Sequence, residues 1–326
     1  MPGTGPKPRV AVLLMAYGGP RRLDDVEPFL LDVRGGRPTP PELVAEIRRR
    51  YAAIGGGSPL LAVSRRQAAA VERALRESET AGIDWRCFVG MRHWTPYVRQ
   101  AVAAIAAAGF GRLVALCLAP HYSRLSVGAY RHALDAALAA VAEEGGRRIV
   151  HSFVERWGDE PPFLDAVAAR VVAALGGWPE GERGAVHVLF TAHSLPARIV
   201  AEGDPYDGEL RATAAAVAAR VEDRLGGGLS WALCYQSRAA GARGWLGPPI
   251  EDEIARLAAA GVRDLLVAPI GFVADHVEVL FDLDVEAKAL AAAAGVRLER
   301  TASLNDAPDF AAALAALVRR AAAALM

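Results

Sequence analysis

The sequence alternates short, continuously apolar runs with longer segments of helical pattern, and this alternation limits the folds open to it. The first run, residues 10–16, ends in Tyr17-Gly-Gly-Pro20, as a buried strand does where it breaks into a loop. Further strands, mostly apolar, are predicted at residues 86–90, 113–118, 186–190, 231–234 and 265–269. Strands that are apolar along their whole length are typical of parallel sheets covered by helices on both faces. The sequence therefore predicts an α/β fold.

Helical patterns fill the segments between these runs. Pro40-Pro41-Glu42 opens a helix that continues through Tyr51 and stops at Gly55-Gly-Gly57, with proline at its start and glycine past its end. Further helices are predicted at about 63–79, 96–108, 126–144 and 310–326.

The second half of the chain repeats the plan of the first. Met-Ala-Tyr-Gly-Gly-Pro20 is similar to Thr-Ala-His-Ser-Leu-Pro196, and Leu-Ala-Pro-His121 is similar to Val-Ala-Pro-Ile270. We therefore expect two doubly wound lobes with parallel sheets and a weak internal duplication. The predicted domains are residues 1–150 and 151–326, with the C-terminal helix packing back on the first lobe.

Ligands of doubly wound lobes bind beyond the carboxyl ends of the strands. Tyr17, His121, His193 and Glu278 follow such strands, two in each half of the chain. If the lobes face one another, we expect these residues to share one cleft.

The bulk composition excludes several classes of function. Lys plus Arg and Asp plus Glu both number 37, so the formal net charge is +0 and nothing indicates a nucleic-acid partner. Cys87, Cys117 and Cys234 include no Cys-x-x-Cys pair, which favours free thiols in a reducing cytoplasm. We recognise no signal peptide before Arg9 and no apolar run of about 18 residues that would span a membrane. A cytoplasmic globular protein is expected.

Several familiar catalytic motifs do not occur. The first strand is not followed by Gly-x-Gly-x-x-Gly, and the sequence has no Gly-x-x-x-x-Gly-Lys-Ser/Thr phosphate loop. It also has neither Gly-x-Ser-x-Gly nor His-Glu-x-x-His. Nucleotide-binding, serine-hydrolase and zinc-protease interpretations are thereby weakened.

The seven histidines differ in where they lie relative to the predicted strands and helices. His193 directly follows a buried strand, in a loop closed by Pro196, where a rigid scaffold holds a side chain open to a ligand. Weaker candidates that also follow strands are His93, His121 and His276. Structural roles are predicted for the remaining three, on a helix or in strands: His132, His151 and His187.

Glu278, Asp282 and Glu286 recur at every fourth position in the segment after the last predicted strand. On an α-helix these acids drift only about 80° around the axis, so they form one stripe. Such neighbours repel by about a few tenths of a kcal/mol per pair, and no Lys or Arg follows before Lys288. Two interpretations stay open, a solvated acidic face and a cation site. Together with His193, the carboxylates would suit ferrous iron and similar divalent ions.

Motifs spread over nearly the whole chain point to one family. They are Leu-Met-Ala-Tyr-Gly-Gly-Pro20, Arg-Tyr-Ala-Ala-Ile-Gly-Gly-Gly-Ser-Pro-Leu60, Leu-Ala-Pro-His-Tyr-Ser123, Thr-Ala-His-Ser-Leu-Pro196, Gly-Asp-Pro-Tyr206, Tyr-Gln-Ser237, Trp-Leu-Gly-Pro248 and Gly-Phe-Val-Ala-Asp-His-Val-Glu278. With these motifs the sequence resembles the ferrochelatase family. The resemblance implies a chelatase-like fold and the insertion of Fe²⁺ into a porphyrin, with ferrous iron and the porphyrin as substrates.

The resemblance also implies roles for individual residues. His193 and Glu278 match the catalytic, metal-binding pair, and Asp282 and Glu286 continue the acidic row as a relay. The Met-Ala-Tyr-Gly segment resembles the branch that acts on coproporphyrin III, in which the tyrosine, here Tyr17, ligates iron in the product. By the same resemblance, the contacts of the porphyrin propionates are Arg34, Arg50, Ser58 and Tyr130, with Arg37 assisting.

This chain departs from some relatives in the propionate region, where it has Arg34-Gly-Gly-Arg37 in place of Arg-Arg-Gly-Arg. One basic group is therefore missing from a region in which guanidinium groups suit carboxylates. Three cysteines and no C-terminal extension argue against an iron–sulfur cluster. Val26, Phe29, Leu30 and Leu31 could form a membrane-docking lip, but helix core is the preferred interpretation.

Three alternatives to a coproporphyrin III ferrochelatase stay open. One is a ferrochelatase that acts on protoporphyrin IX, and another is a sister chelatase that inserts cobalt or nickel. The third, from a different class, is a haem-binding or haem-delivery protein without catalysis. A downstream enzyme of the haem pathway is the expected protein partner.

Overall fold

The apolar runs form strands of two parallel sheets in the computed structural model, which describes residues 7–78, 82–237 and 244–326. The strands are β1 (Arg9–Ala16), β2 (Asp84–Met91), β3 (Arg112–Cys117), β4 (Val150–Val154), β5 (His187–His193), β6 (Trp231–Gln236), β7 (Asp264–Pro269) and β8 (Arg297–Arg300). The α-helices are α1 (Val26–Val33), α2 (Pro41–Ala53), α3 (Leu60–Glu77), α4 (Val98–Ala107), α5 (Val127–Glu143), α6 (Pro161–Leu175), α7 (Arg198–Ala201), α8 (Tyr206–Leu225), α9 (Ile250–Ala259), α10 (Val277–Leu280), α11 (Lys288–Ala293) and α12 (Pro308–Ala322).

Both sheets have the same strand order. The first sheet is ordered β2-β1-β3-β4 and the second β6-β5-β7-β8, with parallel pairing throughout. The repeated order confirms the predicted doubly wound topology and the internal duplication. In each sheet the direction of winding reverses beside the first strand, between β1 and β3 and between β5 and β7. Such a switch point opens a crevice at the carboxyl ends of the strands.

The two sheets share one hydrophobic core. Its buried side chains come from one face of each sheet, for example Val12 on β1 and Phe190 on β5, and from α3, α6, α8 and α12 between them. On the outer faces, α4 and α5 cover the first sheet and α9 and α11 cover the second. The C-terminal helix α12 contacts α3 as well as α6. The shared core therefore joins the two halves of the chain.

The sequence does not predict the short strands β4 and β8. Both lie at sheet edges, and most of their side chains are partly or fully exposed, so neither forms a continuous apolar run. Because β4 pairs with β3, the first sheet extends to Val154, past the predicted boundary at residue 150. The division into two domains stays a prediction.

Local signals at the ends of helices are largely confirmed. Pro41 opens α2, and Gly55 and Gly56 follow the helix with φ of 106° and 92°, a conformation that glycine adopts readily. Helix α3 begins at Leu60, before the predicted start at residue 63, and ends at Glu77. Two predictions fall outside the described residues: the helix end at Glu79 and the absence of a signal peptide over residues 1–6.

Helix α1 carries both buried and exposed apolar residues. Val26 and Phe29 are buried, whereas Leu31 is 42% exposed. The preference for helix core is therefore confirmed for the first two residues and wrong for Leu31. Among the helices of the described ranges, we find none with the length and apolar character needed to span a membrane.

The shared core predicts a large effect of truncation in α12. Leu314 is fully buried in this helix. We expect Leu314→Ala to lower the free energy of unfolding by about 2–5 kcal/mol, because the substitution loses apolar burial and leaves a cavity. Leu290→Ala is the matched control, since Leu290 is 46% exposed on α11, and it should change stability by less than about 0.5 kcal/mol. Urea unfolding followed by circular dichroism measures both. Equal losses in the two variants would contradict the shared core at α12.

Candidate active site

A cleft of about 570 Å³ lies where the carboxyl ends of both sheets meet. Its lining includes Tyr17 after β1, His121 after β3, His193 at the end of β5 and Glu278 after β7. The lobes therefore face one another, and the residues expected at the strand ends share one cleft. Further lining residues come from α2 and α5, among them Arg50 and Tyr130.

His193 and Glu278 form the central contact of the cleft. His193 Nδ1 lies 2.8 Å from Glu278 Oε2. The backbone of each residue is also held, because the Tyr206 hydroxyl donates to the His193 carbonyl at 3.0 Å and Gln236 Nε2 donates to the Glu278 carbonyl at 2.6 Å. Both side chains keep about a third of their surface exposed, at 33% and 30%. The pair is therefore fixed in position and open to a ligand.

Gly271 allows the two strand ends to come this close. A Cβ atom at this position would lie 2.8 Å from the Cβ of Ala192, the residue before His193. Any larger residue at this position would push apart β5 and the segment that leads to Glu278. The glycine in this motif is thus explained by close packing.

Each member of the pair stabilises the charged form of the other. Burial disfavours the imidazolium of His193, but the charge and hydrogen bond of Glu278, with a contribution from Asp282, outweigh it and raise the His193 pKa. Burial likewise opposes ionisation of Glu278, yet His193 outweighs it, and the pKa of Glu278 falls to about 2. Glu278 therefore favours the protonated form of His193.

The acidic row does not lie on one regular α-helix. Helix α10 ends at Leu280, and a π-helical segment, Asp282–Ala287, connects it to α11. The carbonyl of Phe281 accepts hydrogen bonds at 3.0 Å from the backbone N–H groups of both Val285 and Glu286. The prediction of a regular α-helical stripe is therefore wrong in its geometry. Wide turns of this kind are rare and occur frequently at functional sites.

Asp282 is the most perturbed acid of the row. Burial raises its pKa to about 7, and the charges of Glu278 and Glu286 add to this effect. The Ser237 hydroxyl, which donates to Asp282, and Arg50 act in the opposite direction. Asp282 can therefore gain or lose a proton near neutral pH.

Arg50 supplies the cation that the acidic row lacks in the local sequence. From α2 it reaches Asp282 Oδ1 at 3.3 Å and Glu286 Oε1 at 3.8 Å, and it also contacts Glu46 at 2.7 Å. The resemblance assigns this arginine to a propionate, but here its guanidinium is engaged with three carboxylates. The sequence does not predict this pairing.

The other predicted substrate contacts divide into two groups. Tyr17, Ser58 and Tyr130 line the cleft, whereas Arg34 and Arg37 are outside its lining. Arg34 ends α1 with its Nε buried and without a hydrogen-bond partner among the described residues. Arg37 donates to the Arg34 carbonyl at 3.1 Å. These two arginines lie near the end of the helix that forms one wall of the cleft.

Tyr17 faces the cleft from the first lobe and is 41% exposed. Its ring lies against that of His93, with centroids 4.8 Å apart, and His93 Nδ1 is 3.0 Å from Asp32. Burial, followed by the charge of Glu278, raises the pKa of the Tyr17 phenol to about 12. The phenol is therefore neutral in the cleft.

Several lining residues are not among the predicted contacts, and Arg92 is the most informative of them. It directly follows β2, and its guanidinium lies 5.9 Å from the centre of the Tyr130 ring. The signal was present in the sequence, because a basic residue at a strand end is the same pattern that singles out His193. His121 and His276, the weaker histidine candidates, also line the cleft.

The cleft has no preformed cage for a metal ion. Across the described ranges, no group of three or more His, Cys, Asp or Glu side chains is arranged to hold one.

Comparisons with known proteins agree with this geometry. The family model described as Ferrochelatase matches residues 9–322. The chain is 39% identical over 302 residues to a ferrochelatase from Herpetosiphon aurantiacus, covering 93% of this chain and 95% of the relative. It is 39% identical over 323 residues to a ferrochelatase from Deinococcus radiodurans, covering 98% of each. It is also 37% identical over 313 residues to a coproporphyrin III ferrochelatase from Geobacillus kaustophilus, covering 96% of each.

Solved structures support the fold alone. The sirohydrochlorin chelatase SirB from Bacillus subtilis subspecies spizizenii, in complex with cobalt, has a TM-score of 0.53 at 12% identity, covering 97% of this chain and 96% of that chain. SirB from Bacillus subtilis with Fe3+ has a TM-score of 0.57 at the same 12% identity and coverage of 97% and 96%. The predicted chelatase-like fold is confirmed. Because the family model and full-length relatives also match, the chain belongs to the ferrochelatase family, whose enzymes insert iron into porphyrins.

Proposed function

We propose that this chain inserts Fe²⁺ into coproporphyrin III, with His193 and Glu278 as its catalytic pair. The observation that carries the proposal is the 2.8 Å contact between His193 Nδ1 and Glu278 Oε2, on the wall of a cleft that also presents Tyr17. An imidazole and a carboxylate in contact provide a proton acceptor and an attraction for a cation at one place.

Insertion exchanges two pyrrole protons for one Fe²⁺, so it needs both of these functions. Glu278, with a pKa of about 2, is ionised at neutral pH and attracts the ion. The same carboxylate raises the pKa of His193 and so favours its protonated form. A divalent cation at Glu278 would offset that negative charge and lower the His193 pKa. The imidazole would then release its proton to solvent, accept the two pyrrole protons one after the other and pass each to solvent, so that two protons leave for the one Fe²⁺ that enters.

The acidic row offers a route for protons and cations away from the pair. The exposed fractions of the side chains are 10% for Asp282 and 42% for Glu286, so the row leads from the cleft toward solvent. Asp282 exchanges protons readily at neutral pH because its pKa is about 7. We infer that Asp282 and Glu286 act as a relay and that Arg50 keeps their negative charge partly compensated.

Coproporphyrin III is favoured over protoporphyrin IX by two features of the cleft. Tyr17 projects from the wall of the first lobe, as a ligand of iron in the product would need to do. Arg92 also lines the cleft, and coproporphyrin III has four propionates to pair where protoporphyrin IX has two. The relative from Geobacillus kaustophilus is named for coproporphyrin III. Ser58 and Tyr130 are proposed as further propionate contacts.

The remaining alternatives differ in what they predict. A haem-binding or haem-delivery protein would bind the macrocycle without inserting metal. A cobalt or nickel chelatase would share the fold, but the family match over residues 9–322 favours iron. A downstream enzyme of the haem pathway would receive the proposed product, iron coproporphyrin III.

Removal of either member of the pair should stop insertion. His193→Ala and Glu278→Gln are each expected to lower the rate of Fe²⁺ insertion at least about a hundredfold, because a positioned acid–base group contributes that much or more. Porphyrin binding should persist, since the cleft keeps its shape. Anaerobic absorbance assays measure insertion, and fluorescence quenching measures binding. His132→Ala, on the exposed face of α5, is the control and should keep the wild-type rate. Turnover retained in both variants would refute the pair.

The charge of Glu278 should control the titration of His193. In the wild type we expect a His193 pKa above 6.5 and an insertion rate that falls as the pH drops below that raised value. Glu278→Gln removes the main attraction for the imidazolium and leaves burial, so the pKa should drop below 6.5. An NMR titration of the imidazole protons, with His193→Ala for assignment, measures it. An unchanged pKa in the variant would contradict the coupling.

The relative use of two porphyrins should identify the substrate. We expect kcat/KM for Fe²⁺ insertion to be at least about tenfold higher with coproporphyrin III than with protoporphyrin IX, because each charged hydrogen bond contributes about 1.5–3 kcal/mol. Arg92→Ala should lower the rate with coproporphyrin III more than with protoporphyrin IX, and Arg148→Ala, exposed and away from the cleft, should change neither. Faster turnover of protoporphyrin IX would assign the other branch, and no turnover of either would refute iron insertion.

A further inference from the structure

The segment that carries Glu278 contains five acids, which the structure divides among different partners. They are Asp275, Glu278, Asp282, Asp284 and Glu286. Glu278 contacts His193, and Asp282 and Glu286 both meet Arg50. Asp275 and Asp284, which are outside the cleft lining, both pair with Arg300. Arg300 therefore compensates the two acids that belong neither to the catalytic pair nor to the relay.

Arg300 ends β8, and its side chain is only 12% exposed. Its Nε donates to Asp284 Oδ1 at 2.8 Å and its Nη2 donates to Asp284 Oδ2 at 2.9 Å. Two parallel hydrogen bonds of this kind make an ion pair both strong and directional. The third nitrogen, Nη1, donates to the Thr301 carbonyl at 2.8 Å. Because every nitrogen of the guanidinium has a partner, Arg300 holds Asp284 in one orientation.

The residues after β8 also hold the segment that precedes α10. Arg300 Nη2 lies 3.8 Å from Asp275 Oδ1, and the Ser303 hydroxyl donates to the same oxygen at 2.6 Å. Asn305 Nδ2 donates to Asp275 Oδ2 at 2.8 Å, and the backbone N–H of Asp275 donates to Asn305 Oδ1 at 2.9 Å. Helix α10 therefore lies between two residues, Asp275 and Asp284, that are both tied to the end of β8.

Helix α10 depends on such external contacts because it is short. It has four residues, Val277–Leu280, and leads into the π-helical segment Asp282–Ala287. A helix of this length is not stable by itself, and π-helical turns are rare. Asp284 lies within the π-helical segment, so its ion pair with Arg300 stabilises the turn directly.

We propose that Arg300 is a positioning residue, which holds Glu278 against His193 by fixing the π-helical segment through Asp284. This inference rests on the proposed function, since it takes Glu278 as a member of the catalytic pair. The contact between Glu278 and His193 spans 2.8 Å, and a shift of about 1 Å at a catalytic group is enough to slow a reaction strongly. Arg300 is itself outside the cleft lining, so it affects the rate through Glu278 and not through the porphyrin.

Loss of the ion pair should lower kcat and leave porphyrin binding unchanged. Arg300→Met and Asp284→Ala are each expected to lower kcat for Fe²⁺ insertion at least about tenfold. KM for the porphyrin should change less than about threefold, because the wall of the first lobe is unaltered. The double variant should lose no more than Arg300→Met alone, since both changes remove the same interaction. Arg297→Met is the matched control, on the same strand, 46% exposed and outside the cleft lining, and it should keep the wild-type kcat.

Two kinetic outcomes would overturn the inference. One is a loss in the double variant equal to the product of the single losses, because the two residues would then act independently. The other is a wild-type kcat in Asp284→Ala, and this outcome decides the matter even if Arg300→Met fails to fold.

Amide hydrogen exchange gives a readout that does not depend on turnover. The backbone N–H groups of Val285 and Glu286 both donate to the Phe281 carbonyl. In Asp284→Ala these two amides should exchange at least about tenfold faster than in the wild type, whereas the amides of β1 should be unchanged. Unchanged exchange at Val285 and Glu286 would also overturn the inference. A wild type that inserts iron into neither coproporphyrin III nor protoporphyrin IX, while the exchange responds as expected, would overturn the proposed function instead.

Discussion

The contact between His193 and Glu278 is the interaction on which the rest of the cleft depends. Burial alone would favour the neutral form of both groups, yet each stabilises the charged form of the other because the two lie within hydrogen-bonding distance. Such mutual dependence requires fixed geometry. Gly271 packs its backbone against Ala192, and Tyr206 holds the backbone of His193. Both residues are therefore held at the edge of the second sheet, where packing opposes small displacements.

The acidic row extends this dependence to the other lobe. Three carboxylates on one short segment would repel one another, and the compensating charge comes from Arg50, 232 residues before Asp282 in the sequence. The π-helical segment places Asp282 where it meets both Arg50 and Ser237. Electrostatic balance in the second lobe thus depends on a helix of the first. A propionate bound at Arg50 would have to compete with these carboxylates for the guanidinium.

The sequence predicts those parts of the molecule that local patterns determine. Apolar runs locate most strands, and the chain breaks after them locate Tyr17, His193 and Glu278 at the cleft. The sequence pattern does not predict the edge strands β4 and β8, because half-exposed strands lack an apolar run. The pairing of Arg50 with Asp282 cannot be predicted from local patterns, because it joins residues far apart in the sequence. The roles of the site residues come from motifs that resemble a family, which local physics cannot supply.

His121 and His193 show why residue type and position are not sufficient to assign chemistry. Both histidines follow or end a strand and line one cleft, but their pKa values shift in opposite directions. Two carboxylates act on His193, whereas burial alone acts on His121. Burial therefore keeps His121 neutral at neutral pH, whereas the carboxylates favour the protonated form of His193. Charged neighbours, which the local sequence does not specify, decide which of the two histidines favours a second ring proton.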